Sequence, residues 1–553
     1  MKDKNSSIYF IISVLLSIIF IAIAYYTFSR TIVMDDEGWY IYLLRDTPNG
    51  ASPSQFHKLF HNLFNGDIFL LRVFNYLFEL LSIFIYSLGI YVFFKRTFDL
   101  SRMHLLLLFS ITLIGFSIFT IPVCTTPYYV SLNKILTLIS LGILLIGLKT
   151  NGFIKNLLFV LSGFSIGFLF FIMITNTPVY LLFIILIYSY SQRKLKDLLL
   201  FILGIVLSFI CYFLTIESLT EFIQHEIIHN LTATVSAKHN DAHGLFPMIR
   251  WVYIALKYYL FNGLLSAFII IGYFQLKSRL STTQHSALFL ALLITGLFFY
   301  YEEVIEGEHT FAAMSPYLSL YIFFIIDQTI SKHNLKHVNL FLVSLVFIPF
   351  LLSVGTDVDF KTRGTEYIGF LFPLLFIIAE KFYSKKVLTV FMIVLIGYTA
   401  NVCSMIYRNN WGGFIYAKQT LDVQNLNIDQ NLKVDSVTYN NISSLQSGLL
   451  KDDTIIVSNK RLWGYAYLLG TTPISYMFRG TEENWLNQLH KHPNISKLSV
   501  FETVYAPMED STMERIKKEG NYVCDTTIDV LGIYRIYKLR KATTLSPLSE
   551  IKD

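Results

Sequence analysis

The chain has 553 residues, of which 54% are hydrophobic and only 15% charged, with a net charge of +6. Soluble domains carry about 25% charged residues, so most of this chain is composed for lipid and not for water. Membrane topology accounts for the basic excess, which removes nucleic acid as a partner. Four scattered cysteines without a C-x-x-C pair provide neither a disulfide framework nor a zinc site.

Met1–Ser7 leads into an apolar run with no small-residue cleavage site, which reads as a retained first helix. A spanning helix needs about 20 mostly apolar residues. On that measure residues 1–406 hold about thirteen: 8–30, 68–94, 104–121, 132–148, 157–174, 178–190, 198–216, 251–274, 286–301, 311–328, 338–354, 365–380 and 387–406. The loops between them alternate in character. Lys2 and Lys4, Lys95, Arg96 and Arg102, Lys149 and Lys155, Arg193, Lys194 and Lys196, Lys277 and Arg279, Lys332 and Lys336, and Lys381, Lys385 and Lys386 share one side. The positive-inside rule makes that side cytoplasmic, the N-terminus included. The longer, more acidic loops 31–67, 217–250, 301–309 and 355–364 lie outside, and an odd helix count leaves the C-terminal region there too. The abundant Phe (49) and Tyr (35) suit interfacial belts and the lining for a long lipid.

From Tyr407 onward the composition turns polar. Segments 453–458, 497–501 and 521–538 read as strands, and 482–489 and 511–518 have helical spacing. The expected fold is therefore a polytopic α-helical membrane protein of about thirteen transmembrane helices. A membrane domain over 1–406 is followed by a small external α/β domain over 407–540 and a loose tail over 541–553.

The candidate chemistry begins where the first helix ends, at Asp35-Asp36-Glu37. Carboxylates at a membrane surface are costly unless they line a wet cavity or a site. Here they either serve a site or solvate a helix–loop junction. Glycosyl transfer from a lipid phosphate needs such a carboxylate as base, and cations to hold the departing phosphate. His57 and Lys58, with His61 one turn on, offer cations or form an ordinary interfacial helix. Lys361 and Arg363 are the basic residues of their loop, either a phosphate grip or surface partners of Asp357 and Asp359. Glu303 and Glu306 belong to an acidic loop that either binds an acceptor or is simply solvated. His225-x-x-x-His229 has zinc-like spacing without the H-E-x-x-H arrangement, and solvated loop histidines are the simpler reading. Sequons at Asn230, Asn441 and Asn494 carry no function.

With these residues in place, the chain resembles the polytopic, lipid-phosphate-sugar-dependent glycosyltransferases of the GT-C superfamily. Its layout is similar to the protein O-mannosyltransferases and the aminoarabinose lipid A transferases. In those families a first helix opens into a long external loop beginning with an Asp-Glu pair, matched here by Asp36-Glu37. His57-Lys58 sits where such loops carry a His- or Lys-containing motif. Gly66-Asp67-Ile-Phe-Leu-Leu-Arg72 resembles the segment that starts their second helix. The resemblance implies Asp36 as catalytic base, Glu37 as an acceptor-binding or orienting group, and a polyprenyl-phosphate sugar as donor. The second external loop, 121–130, lacks the acid that several relatives link to metal. The Pro-Pro-Leu that often follows the His or Lys is absent as well. These departures argue against a divalent metal, and no cofactor is implied.

The reading that follows is an inverting transferase of the bacterial inner membrane. It moves a sugar to an extracytoplasmic lipid, polysaccharide or protein, with the α/β domain as an acceptor-binding lid. The alternative is a transporter or flippase for lipid-linked glycans, whose ionisable groups sit near the bilayer midplane.

Overall fold

The computed structural model describes residues 4–30, 63–120, 129–172, 176–223, 336–353, 367–382, 415–458, 462–474 and 493–542, with a few positions between them. The chain divides into two compact units. One comprises Met1–Ala24 and Asn75–Ser404, the other Tyr25–Phe74 and Met405–Asp553.

The first unit is helical because its sequence is apolar over lengths that cross a bilayer. In chain order the helices are α1 (Lys4–Phe28), α2 (Ile68–Phe94), α3 (Arg102–Thr120), α4 (Tyr129–Lys149), α5 (Gly152–Gly167), α6 (Leu169–Ile172), α7 (Val179–Tyr190), α8 (Lys194–Thr215), α9 (Leu219–Phe222), α10 (Lys336–Ser353) and α11 (Phe372–Phe382). Among the described residues five spans are long and apolar enough to cross a membrane: Ile8–Phe28, Ile68–Phe94, Val130–Lys149, Gly152–Ile172 and Lys194–Thr215. The chain is thus a membrane protein. The expected spans 251–274, 286–301 and 311–328 lie outside the described residues.

These helices differ in what they face. The α4 span is 83% buried, whereas the α8 span is 22% buried and leaves Leu195, Leu199, Val206 and Leu214 exposed. Water would penalise that surface by about 25 cal/mol per Å², and lipid does not. Polar side chains inside the unit close on one another. The Ser140 hydroxyl donates to the Ser162 carbonyl at 2.7 Å and the Ser162 hydroxyl to the Ser140 carbonyl at 2.9 Å, and Asp197, almost fully buried, meets Lys155 at 2.6 Å. In lipid, helix association depends on close backbone approach instead of the hydrophobic effect. On α5 and α8 that approach falls at Gly163 and Gly204, where any Cβ would strike the backbone of the other helix.

In the second unit the polar C-terminal sequence folds as α/β. A two-stranded sheet pairs β1 (Leu421–Asp422) with β2 (Lys433–Val434), antiparallel. After α12 (Ser436–Leu445), strand β3 (Thr454–Val457), α13 (Trp463–Leu468), β4 (Thr472–Pro473), β5 (Lys497–Thr503), α14 (Asp510–Gly520), β6 (Tyr522–Val530) and β7 (Tyr534–Lys541) follow. The larger sheet has the order β4-β3-β5-β7-β6. It is parallel at β4–β3–β5 and antiparallel at β5–β7–β6. Alternation along β5 sends Leu498 and Val500 to one buried cluster, with Met513 and Ile516 of α14. Phe501 goes to the other, with Ile442 and Leu445 of α12. Burial on both faces agrees with the short buried strands read from the sequence at 453–458 and 497–501. Asn441, the asparagine of one sequon, is buried and donates to the Tyr465 and Tyr534 hydroxyls at 3.1 and 3.0 Å.

Asp435 starts α12 and holds the smaller sheet to it. Its carboxylate accepts from the Thr438 N–H at 2.8 Å and from the Gln419 amide at 3.1 Å. Burial pushes this carboxyl up, but the hydrogen bonds from Thr438 and Gln419 outweigh it and hold it below its ordinary value. A depressed carboxyl stabilises the fold above its unfolded value, about 3.9, and loses that contribution as pH falls through the folded value. Thermal unfolding of the purified full chain, followed by tryptophan fluorescence between pH 3 and 7, should show this. Asp435→Ala should cost about 1 kcal/mol at pH 7, the usual worth of an N-cap. Asp435→Asn should narrow the gap to wild type below about pH 4.

Candidate functional site

Asp35, Asp36, Glu37, His57, Lys58, Glu303, Glu306, Lys361 and Arg363 all lie outside the described residues, as does the His225–His229 pair. The structure does describe the two ends of the segment that carries the acidic triplet, and both belong to the second unit.

The first end is the C-terminus of α1. The last carbonyls of a helix have no partner within it, and here they find one in Arg72 of α2. Its Nη1 donates to the carbonyls of Phe28 at 2.8 Å, Arg30 at 3.2 Å and Thr27 at 3.4 Å. Arg72 is 4% exposed, so the negative end of the helix dipole meets a buried cation. The Ser29 carbonyl, left out of that set, accepts from the Lys433 N–H at 2.6 Å. Arg30 forms a parallel bridge with Lys433, stacks its guanidinium 3.8 Å from the centre of the Tyr26 ring, and donates through Nη1 to the Gln419 carbonyl.

The second end is the start of α2, within the phrase Gly66-Asp67-Ile-Phe-Leu-Leu-Arg72. Asn65 and Gly66 both take positive φ, 51° and 72°, which turns the chain into the helix and favours glycine at the second position. Asp67 caps the helix by accepting from the Leu70 N–H at 2.9 Å. Gln430 of the C-terminal segment then fits the corner from outside. Its Oε1 accepts from the Ile68 N–H at 3.0 Å, and its Nε2 donates to the Gly66 carbonyl at 3.1 Å. The Tyr467 hydroxyl donates to that same carbonyl. Ile68 itself is fully buried in the cluster that holds Ile428, Leu432, Val434 and Tyr467. The start of α2 is therefore part of the core of the α/β unit. The phrase read as a family signature acts as a pair of helix ends: Asp67 caps α2, and Arg72 caps α1.

A second polar group lies within the helices of the first unit. Glu79 of α2 accepts from Lys134 Nζ of α4 at 2.6 Å, and Lys134 has no exposed side-chain surface. One turn before each, Ser131 donates to Asn75 Oδ1 at 2.6 Å, and Lys134 Nζ lies 5.5 Å from the centre of the Phe116 ring. Glu79 lies within the apolar span Ile68–Phe94 and Lys134 within Val130–Lys149. The acids singled out from the sequence do not include this pair. Its signal is one Glu within the apolar run 68–94 and one Lys near the start of 132–148. Each looks like an isolated impurity until the two helices are aligned. Among the described residues no three His, Cys, Asp or Glu side chains converge to hold a metal.

No family model matches the chain, and no curated protein matches it.

A buried pair broken on one side leaves an uncompensated charge, which costs about 3–5 kcal/mol. Lys134→Met should therefore lower the melting temperature of the purified protein sharply. The double variant Glu79→Leu with Lys134→Met should recover most of it. Equal loss in the double variant would mean that the charges do more than offset each other.

Proposed function

We propose that this chain is a membrane glycosyltransferase of the GT-C type, moving a sugar from a polyprenyl-phosphate donor to an extracytoplasmic lipid, polysaccharide or protein. The observation that carries the reading is the gripping of both ends of the acidic segment by the C-terminal α/β unit, through Lys433 at Ser29 and Arg30 and through Gln430 at Gly66 and Ile68. The attachment satisfies helix-end groups that any connecting loop leaves unpaired, and it also fixes where the loop starts and stops. A loop that carries a base gains from it, because transfer requires the base and the acceptor to be held within a few tenths of an ångström.

In this reading Asp36 removes the proton from an acceptor hydroxyl. The oxygen attacks the anomeric carbon on the face opposite the phosphate, the carbon–phosphate-oxygen bond breaks, and the configuration inverts. Glu37 and Asp35 orient the acceptor, with Glu303 and Glu306 extending that surface. His57, Lys58, Lys361 and Arg363 neutralise the departing polyprenyl phosphate. The reading includes about thirteen helices in the bacterial inner membrane, a cytoplasmic N-terminus and an external α/β domain, with the chemistry on the outer leaflet.

One observation favours a second reading. The Glu79–Lys134 pair lies inside apolar helices, where transporters keep the groups that follow their substrate. A flippase for lipid-linked glycans would use that pair and leave the acidic triplet idle.

General-base assistance contributes about 10²–10⁴ in rate. Mass spectrometry of surface glycans and lipids in a deletion strain, complemented with wild type or Asp36→Asn, tests the assignment. Wild type should restore one sugar on one glycan, and Asp36→Asn at equal expression should restore less than about one hundredth of it. Full restoration by Asp36→Asn would move the flippase reading to the front.

A further inference from the structure

Four consecutive residues of the α/β unit, Gln430-Asn431-Leu432-Lys433, hold both ends of the acidic segment. Gln430 binds Gly66 and Ile68 through its side chain, and Lys433 binds Ser29 and Arg30 through its backbone. This stretch is stiff. The Leu432 N–H donates to the Gln430 carbonyl at 3.0 Å, the Gln430 N–H to the Ile428 carbonyl at 2.8 Å, and the Val423 N–H to the Leu432 carbonyl at 3.0 Å. Leu432 and Val434 anchor it in the buried cluster. Because four residues reach at most about 14 Å even when extended, the separation of the two ends is set by the α/β unit. Arg72 then ties α2 to the last carbonyls of α1.

We infer that Gln430 is a positioning residue for the acidic segment: the C-terminal domain acts as a buckle that sets where residues 31–62 begin and end. This rests on the transferase reading and adds to it. It gives the α/β domain a role beyond that of an acceptor-binding lid, and it makes turnover depend on a residue that meets neither donor nor acceptor. The side chain suits the task because an amide both accepts from an N–H and donates to a carbonyl. Glutamate can only accept, and its charge would face the Gly66 carbonyl. Methionine keeps the length and does neither.

The test combines two readouts on the full chain. Hydrogen exchange of the detergent-purified protein reports on residues 64–70 and, separately, on strands β5 and β7. Glycan mass spectrometry in the complemented deletion strain reports on product. Gln430→Met should speed exchange in 64–70 at least tenfold, leave β5 and β7 protected as in wild type, and cut product at least tenfold at equal expression. Tyr467→Phe removes one donor to Gly66 and keeps the ring, so it should move the same two readouts by a smaller factor, and it decides the matter if Gln430→Met does not accumulate. Faster exchange at 64–70 with product at the wild-type level overturns the inference, and so does deprotection that spreads through β5 and β7, since that is a loss of fold. Asp36→Asn, run beside them, keeps the two ideas apart. Product lost in Asp36→Asn but kept in Gln430→Met overturns the buckle alone. Product kept in Asp36→Asn overturns the assignment of the base, and the exchange arm still decides whether Gln430 fixes the corner.

Discussion

The ends of α1 and α2 present the constraint on which the rest of the second unit depends. A helix leaving an apolar layer exposes carbonyls with no internal partner, and a helix entering one exposes unpaired N–H groups. Two such ends lie on either side of residues 31–62, and neither is left to solvent alone. Arg72 gathers the carbonyls of Thr27 and Phe28 in the last turn of α1 and of Arg30 just beyond it with one guanidinium nitrogen, and Lys433 takes that of Ser29. Asp67 and Gln430 take two N–H groups of α2. Satisfying the backbone at this boundary thus enlists a segment 362 residues further along the chain. The α/β fold behind it, with its two buried clusters, gives that segment its rigidity. In the proposed transferase, function enters here, because the stretch between the two ends carries the three acids.

Within the helical unit other forces dominate. Lipid offers no hydrophobic drive to bring helices together, so contact is made where side chains are smallest and where polar groups can be shared. Gly163 faces Gly204, Ser140 meets Ser162, and Glu79 meets Lys134. The ion pair fixes the register of α2 against α4. Further along the same two helices, Gly89 and Gly142 bring the backbones together. A charge pair beside a glycine crossing leaves little freedom to slide.

Much of the fold was legible because its signals are local. Twenty apolar residues in a row, as in 8–28 or 68–94, mean a bilayer span whatever surrounds them. Segments 453–458 and 497–501 read as strands because both are short and rich in apolar residues, and both faces are buried: Ile455, Val457 and Phe501 on one, Ile456, Leu498 and Val500 on the other. The start of a helix at 68 was also readable, and Arg72 stood out only as the end of a phrase that resembles a family's helix entry. Its role was not readable, because a cap on another helix is a matter of space and not of spacing. Gln430 and Tyr467 left no trace at all: a glutamine in Asp429-Gln430-Asn431 resembles any polar loop, and only the packing of the domain brings it to Gly66. Glu79 and Lys134 were hidden by the averaging that finds spans, which treats one charge in twenty residues as noise. Asn441 belongs to a sequon to which the sequence assigned no function, and its amide is a buried core group.

If the chain is a transferase, chemistry occurs at the segment held between Arg30 and Leu63 and not at the ion pair within the helices. A cryo-electron microscopy map of the full chain in lipid nanodiscs, with polyprenyl phosphate added, tests this most directly. Phosphate density is expected beside Asp35, Asp36 and Glu37, with basic side chains around it. Density beside Glu79 and Lys134, with none at the acidic segment, would contradict the transferase reading.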